Sequence, residues 1–182
     1  MSTQLFTNAH IATGMPSSTA ADTAAIQDIL VEDGKFVSIA PNLKATLEAQ
    51  GQDRASVEVI DLGGKLVCPP FCDTHLHLDY VFTARKPGAV NESGTLFEGI
   101  QRWSETKADL TVDEIKERAK IGIAKEMRHG VQFIRSHADV TDPNLTSLKA
   151  LLELKEELKD TVTLQIVSFP QEGMCCYEVP DG

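Results

Sequence analysis

The sequence has no long apolar segment and comparatively few basic residues. No apolar run approaches the roughly 20 residues that a membrane-spanning helix needs, and the amino terminus lacks the basic-then-apolar pattern of a signal peptide. The 182 residues include 27 acidic and 17 basic ones, which gives a formal net charge of −10. Such an acidic balance disfavours binding to nucleic acid or to an anionic membrane. We therefore predict a cytoplasmic protein with neither of these partners.

The sequence also lacks the cysteine pattern of a disulfide framework. Cys68 and Cys72 flank a double proline, and Cys175 and Cys176 are adjacent near the end of the chain. Adjacent cysteines rarely pair with each other, and disulfides are rare in reducing compartments. We expect all four thiols to be reduced.

Residues 1–64 have the pattern of a small β layer. Two apolar runs flank Asp33-Gly34, a dipeptide that is typical of a tight hairpin turn. A Gly63-Gly64 joint ends the layer. The predicted elements are strands at 3–13, 26–31, 36–39 and 57–60, a loop at 14–25 and a short helix within 42–54.

Residues 65–182 alternate between strands and helices. Thr111 and Glu114 have the spacing of a capping box, and Gly130 can end the helix that follows. Asp142 followed by Pro143 indicates a second helix start, with Asp142 as the N-cap. The predicted elements are strands from Leu66 to the His75 region, at 131–140 and at 162–169, and helices at 95–107, 115–129 and 145–158.

This alternation predicts an α/β fold with parallel strands and right-handed crossovers. Each strand ends in polar residues: His75 and His77, then His137 and Asp139, then Gln171. In a (β/α)8 TIM-type barrel the active site lies at these carboxyl ends of the strands. The glycine-rich phosphate-binding motif of a dinucleotide fold does not follow the first strand. We predict an incomplete barrel of three strands at 65–182, preceded at 1–64 by part of a β-sandwich.

His75 and His77 are the candidate metal ligands. Side chains two residues apart on a strand point to the same face, so one ion can contact both imidazoles. A second hypothesis joins both histidines to Cys68 and Cys72 in a closed structural zinc site. The rigid double proline and the short His spacing disfavour that arrangement.

Other polar residues leave alternatives open. His137 could be a ligand, a proton carrier or a structural histidine whose hydrogen-bond partner is Asp139. Gln171 could belong to a turn or contact a ligand, since an amide both donates and accepts hydrogen bonds. Trp103 fits the apolar stripe of its helix, which favours a place in the core.

Four ordered blocks resemble the first part of a cytosine deaminase of the amidohydrolase superfamily. They are PPFCDTHLHLD at 69–79, SGTLFEGIQRW at 93–103, SHADVTD at 136–142 and LQIVSFPQEG at 164–173. The resemblance implies hydrolysis of an exocyclic amine from a pyrimidine-like ring, assisted by one divalent metal ion, iron or zinc. It assigns His75 and His77 to the metal, Gln171 to the edge of the ring and Leu96 to the pocket wall.

Similar blocks occur in relatives that act on triazines or cyclic amides, although the Phe169-Pro170-Gln171 run favours the cytosine branch. The resemblance implies eight barrel strands, whereas three are predicted here. The remaining metal ligand and the catalytic glutamate, histidine and aspartate are therefore expected outside this sequence, and no catalytic residue is assigned within it. We expect the chain alone to be inactive; a non-catalytic remnant or splice product is the alternative. A homo-oligomer of the full-length form stays open.

Overall fold

The computed structural model describes residues 2–11, 26–49 and 57–174. The chain divides into two compact units, Met1–Pro69 and Pro70–Gly182. This division lies five residues beyond the boundary predicted at 64/65. The predicted loop at 14–25 and the Cys175-Cys176 pair lie outside the described residues. No helix within the described ranges has the length and apolar character that crossing a bilayer requires.

The first unit contains β1 Thr3–Ile11, β2 Ile26–Glu32, β3 Lys35–Ala40, α1 Leu43–Ala49, β4 Val57–Asp61 and β5 Leu66–Val67. Its strands form one mixed sheet in the order β3-β2-β1-β4, with β5 also paired to β1. The predicted hairpin is present, and Asp33 and Gly34 both have positive φ, 47° and 76°, as a two-residue turn that matches strand twist requires. Leu5, Leu30 and Leu43 form its small core. The sandwich stays a prediction.

The apolar run that starts at Leu66 contributes to both sheets. Leu66–Val67 pairs with β1, whereas the strand that begins at Phe71 pairs with a strand of the second unit. Pro69 and Pro70 separate the two segments. Proline has no backbone N–H to donate to a ladder, so the strand is interrupted there and the two units divide at this dipeptide.

The second unit contains β6 Phe71–Leu76, a 3-10 turn at Thr83–Arg85, α2 Leu96–Lys107, α3 Val112–Arg128, β7 Val131–Asp139, α4 Thr146–Glu157 and β8 Thr163–Phe169. Its three strands form a parallel sheet in the order β6-β7-β8, with helices as the connections. The predicted mixed α/β class and the parallel strands are therefore confirmed, while a barrel stays a prediction.

Helix ends follow the predicted capping in two cases and depart from it in one. The hydroxyl of Thr111 accepts a hydrogen bond from the Glu114 amide, and Gly130 follows the end of α3 with φ of 86°. Asp142 is not the N-cap of α4, because Leu145 occupies that position in a left-handed conformation. The Asp142 carboxylate still accepts from the Thr146 amide at 2.9 Å. It therefore satisfies the first amide of α4, although Asp142 lies four residues before that amide.

One apolar core joins the sheet of the second unit to its helices. Leu151 and Leu154 of α4 and Ile115 of α3 are fully buried in this core, which also contains Ile134 of β7 and Leu164 of β8. Packing on this side of the sheet fixes the strands and so places the residues that follow their carboxyl ends.

Candidate active site

Three histidines lie together where β6 and β7 end. The ring of His75 stacks on that of His137 with 4.1 Å between centroids, and His77 lies 5.2 Å from His75 and 5.7 Å from His137. The parallel pairing of β6 with β7 brings these strand ends to the same edge of the sheet. The structure therefore gathers both predicted metal ligands and His137, whose role the sequence leaves open.

One hydrogen bond fixes how His77 presents its ring. Nδ1 of His77 lies 2.9 Å from the backbone carbonyl oxygen of His137. A carbonyl can only accept, so Nδ1 carries the proton and donates it, and the lone pair of a neutral ring is on Nε2. Metal-binding histidines are commonly held through their second nitrogen in this manner.

The environment favours neutral imidazoles. Burial lowers the pKa of His77, and the neighbouring rings of His75 and His137 lower it further. The pKa of His137 is also lowered, first by burial and then by His75 and Arg135. A neutral imidazole is the form that binds a metal, so these pKa shifts suit a ligand role.

A cavity of about 730 Å³ begins at the two histidines and extends over α2 and the loop before it. His75, His77, Leu96 and Gln171 all line it, so the four residues that the resemblance assigns to a site face one space. Leu96 is the first residue of α2, and Gln171 follows the end of β8.

Aromatic residues form a second wall of this cavity that the sequence patterns do not identify. Tyr80 stacks on His77 with centroids 5.0 Å apart and makes a tilted contact with Trp103, with centroids 4.9 Å apart. Trp103 is buried, as predicted, yet it also lines the cavity. Only the SGTLFEGIQRW block could have indicated this second role, because helical spacing alone assigns Trp103 to the core.

Asp139 is the centre of a polar network rather than the partner of His137. Its carboxylate accepts from Trp103 Nε1 at 2.6 Å, from Lys107 Nζ at 3.2 Å and from the amide and hydroxyl of Thr141. Within the described residues, buried His137 Nδ1 has no hydrogen-bond partner. The predicted His137–Asp139 pair is therefore wrong, because α2 supplies stronger donors to the carboxylate.

Asp79 joins the loop after β6 to this network. It is fully buried, and its Oδ2 accepts from the Asp139 amide at 2.8 Å. Burial raises the pKa of Asp79 to about 6 despite that hydrogen bond. Arg118 of α3 donates to the backbone carbonyls of Asp79 and Val81, which holds the loop that follows His77.

The residues present fit part of a metal site. Among residues 2–11, 26–49 and 57–174, no three His, Cys, Asp or Glu side chains are placed to hold one ion together. Cys72, His75 and His77, which are three members of the alternative zinc site, are therefore not gathered around one position, and the Cys72 thiol is exposed. His75 and His77 are two candidate nitrogen ligands, whereas a catalytic zinc site generally has three protein ligands.

These features agree with a family relationship. Residues 58–181 match the amidohydrolase family. The chain belongs to this family, and the predicted recognition is confirmed.

Similar proteins include a structure of 5-methylcytosine deaminase from Klebsiella pneumoniae liganded with 5-fluorocytosine, at 39% identity and a TM-score of 0.77. The match covers 95% of this chain and 38% of that one. N-isopropylammelide isopropyl amidohydrolase from Pseudomonas sp. (strain ADP) is 30% identical over 81% of this chain and 36% of its own length. Pterin deaminase from Rhizobium rhizogenes is 28% identical over 81% of this chain and 32% of its own length. The chain thus spans about a third of the length of these curated relatives.

Proposed function

We propose that this chain carries the first three strands of a barrel enzyme that hydrolytically deaminates cytosine or a related heterocyclic amine. The observation that supports it most is the joint placement of His75, His77, Leu96 and Gln171 around one cavity. The similarity to 5-methylcytosine deaminase agrees with this substrate class. Triazine-type rings are the second candidate class, because the amidohydrolase from Pseudomonas matches at 30% identity.

His75 and His77 would hold one divalent ion, iron or zinc. Donation from His77 Nδ1 to the His137 carbonyl leaves Nε2 free for that role. A divalent ion bound there would supply a hydrolytic nucleophile near neutral pH by lowering the pKa of water. The described part of the chain offers no third ligand, so we expect the chain by itself to bind the ion weakly and to release no ammonia from cytosine.

Gln171 would read the edge of the ring, and Leu96 would cover its face. A planar amide can donate one hydrogen bond and accept another, which suits a ring that alternates nitrogen and carbonyl groups. Tyr80 and Trp103 close the apolar side of the same space. Binding pockets commonly combine such an apolar wall with a few placed polar groups.

The metal role is tested by titrating the chain with Co²⁺ or Zn²⁺ at neutral pH. We expect weak binding that both His75→Ala and His77→Ala abolish. His129→Ala is the matched control, because His129 is exposed beyond the end of α3 and should not affect binding. Equal affinity in all three variants would contradict the assignment.

The reaction is tested by co-expressing the chain with the portion of the Klebsiella enzyme that the match does not cover. We expect reconstituted ammonia release from cytosine or 5-methylcytosine, lost in Gln171→Ala and in His75→Ala. Release of isopropylamine from N-isopropylammelide instead would favour the triazine class. Ammonia release by the chain alone would refute the expectation that its own ligands are insufficient.

A further inference from the structure

The ammonium group of Lys107 connects two strand ends beside the candidate site. Lys107 lies in the last turn of α2, and its side chain is only 11% exposed. Its Nζ donates to Asp139 at 3.2 Å, to Thr141 Oγ1 at 2.7 Å and to Glu172 Oε1 at 2.7 Å. An ammonium has three hydrogens, so each has an acceptor. Asp139 is the last residue of β7, Thr141 lies two residues beyond it, and Glu172 follows β8.

The charge on this group is retained despite burial. Burial acts to lower the pKa of Lys107, but hydrogen bonds and charge from Glu172 and Asp139 outweigh it and raise the pKa above its ordinary value. The two carboxylates are therefore held by a permanent cation at neutral pH. Such charge-assisted hydrogen bonds are among the stronger ones in proteins.

Glu172 is the direct neighbour of Gln171 in a tight turn. The Gly173 amide donates to the Pro170 carbonyl at 3.0 Å, so Gln171 and Glu172 are the two central residues. Gln171 lines the cavity, while the Glu172 carboxylate is held by Lys107 and also by the Ser104 hydroxyl. Because both residues share the torsions of one turn, fixing Glu172 restricts where the Gln171 amide points.

We infer that Lys107 is a positioning residue, which holds the Gln171 amide toward the cavity through Glu172. The inference rests on the proposed role of Gln171 at the edge of the heterocycle. In the described part of the chain, Lys107 does not line the cavity, so it acts through the turn rather than on a ligand. Glu172 is the link, because its carboxylate accepts from the Lys107 ammonium and its backbone adjoins that of Gln171.

Backbone ¹⁵N relaxation of the 182-residue chain tests this link. The order parameter of Gln171 should fall from about 0.85 to below about 0.6 in Glu172→Ala, which removes both attachments of the turn. Lys107→Met removes one attachment and should give an intermediate value. The double variant should match Glu172→Ala, since Lys107 then has no remaining route to Gln171.

The matched control is Lys116→Met. Lys116 also pairs with two carboxylates, Glu153 and Glu157, and its side chain is 14% exposed, but it joins α3 to α4. The order parameter of Gln171 should not change in this variant. An unchanged Gln171 in Glu172→Ala and Lys107→Met, or an equal loss in Lys116→Met, would overturn the inference. Glu172 is exposed, so Glu172→Ala is informative even if Lys107→Met fails to fold.

Adding 5-fluorocytosine separates the inference from the proposed function. In the wild-type chain we expect the Gln171 side-chain amide signals to shift, and in Glu172→Ala we expect at least a threefold smaller shift at equal ligand concentration. No shift in the wild type, with the order parameters as expected, would refute the ring-reading role and leave the positioning supported. Equal shifts in both proteins would refute the positioning.

Discussion

Ser136→Ala should destabilise the second unit, because it removes the acceptor of a buried backbone amide. Ser136 lies in β7 with no exposed surface, and its Oγ accepts from the Leu78 amide at 3.0 Å. Leu78 is equally buried, so water cannot replace the lost acceptor. An orphaned buried N–H costs about 1–3 kcal/mol. In a chain of this length each kcal/mol lowers Tm by roughly 2–4 °C.

Urea unfolding followed by tryptophan fluorescence measures this change in one unit only. The sequence has a single tryptophan, Trp103, which is buried in the core of the second unit. Ser168→Ala is the matched control, because Ser168 lies on the neighbouring strand β8 and is exposed. We expect Ser136→Ala to unfold at clearly lower urea than Ser168→Ala. The same midpoint for both variants would refute the argument that this hydroxyl satisfies the amide.

Two further substitutions test the packing and the backbone of the second unit. Leu151→Ala should lower the free energy of unfolding by about 2–5 kcal/mol, because Leu151 is fully buried. Leu152 is 47% exposed, so Leu152→Ala should lower it much less. Equal losses for the two variants in urea titrations would contradict the assigned core. Gly130→Ala should lower the free energy of unfolding by about 1–2 kcal/mol, because φ at this position is 86° and residues with a Cβ are strained there. An unchanged Tm would argue against this conformation.

Local chemistry explains which parts of the fold could be predicted from the sequence. Asp33-Gly34 determines its hairpin because few residues accept positive φ at two successive positions. Thr111 and Glu114 mark a helix start because the acceptor and the donor lie three residues apart in the chain. The same rule gives the wrong N-cap at Asp142. Its carboxylate accepts from the Thr146 amide across an additional turn, and capping rules based on residue spacing do not include that geometry.

Contacts between distant residues explain what could not be predicted at the candidate site. Strand alternation alone suggests that His75 and His77 belong together. By contrast, Asp139 takes its donors from Trp103 and Lys107, which are 36 and 32 residues away in the chain. Those pairings depend on how α2 packs beside the sheet. For this reason, the polar network behind the cavity became visible only in the folded structure.

The hydrogen bond from His77 to the carbonyl of His137 determines which substitutions at position 137 the site can tolerate. The acceptor is a main-chain oxygen, a group that all twenty amino acids carry. Replacing the side chain at position 137 can therefore remove the ring that stacks on His75 without disturbing the tautomer of His77. The parallel pairing of β6 and β7 positions the carbonyl that selects this tautomer. The tautomer of His77 therefore tolerates substitution of the His137 side chain.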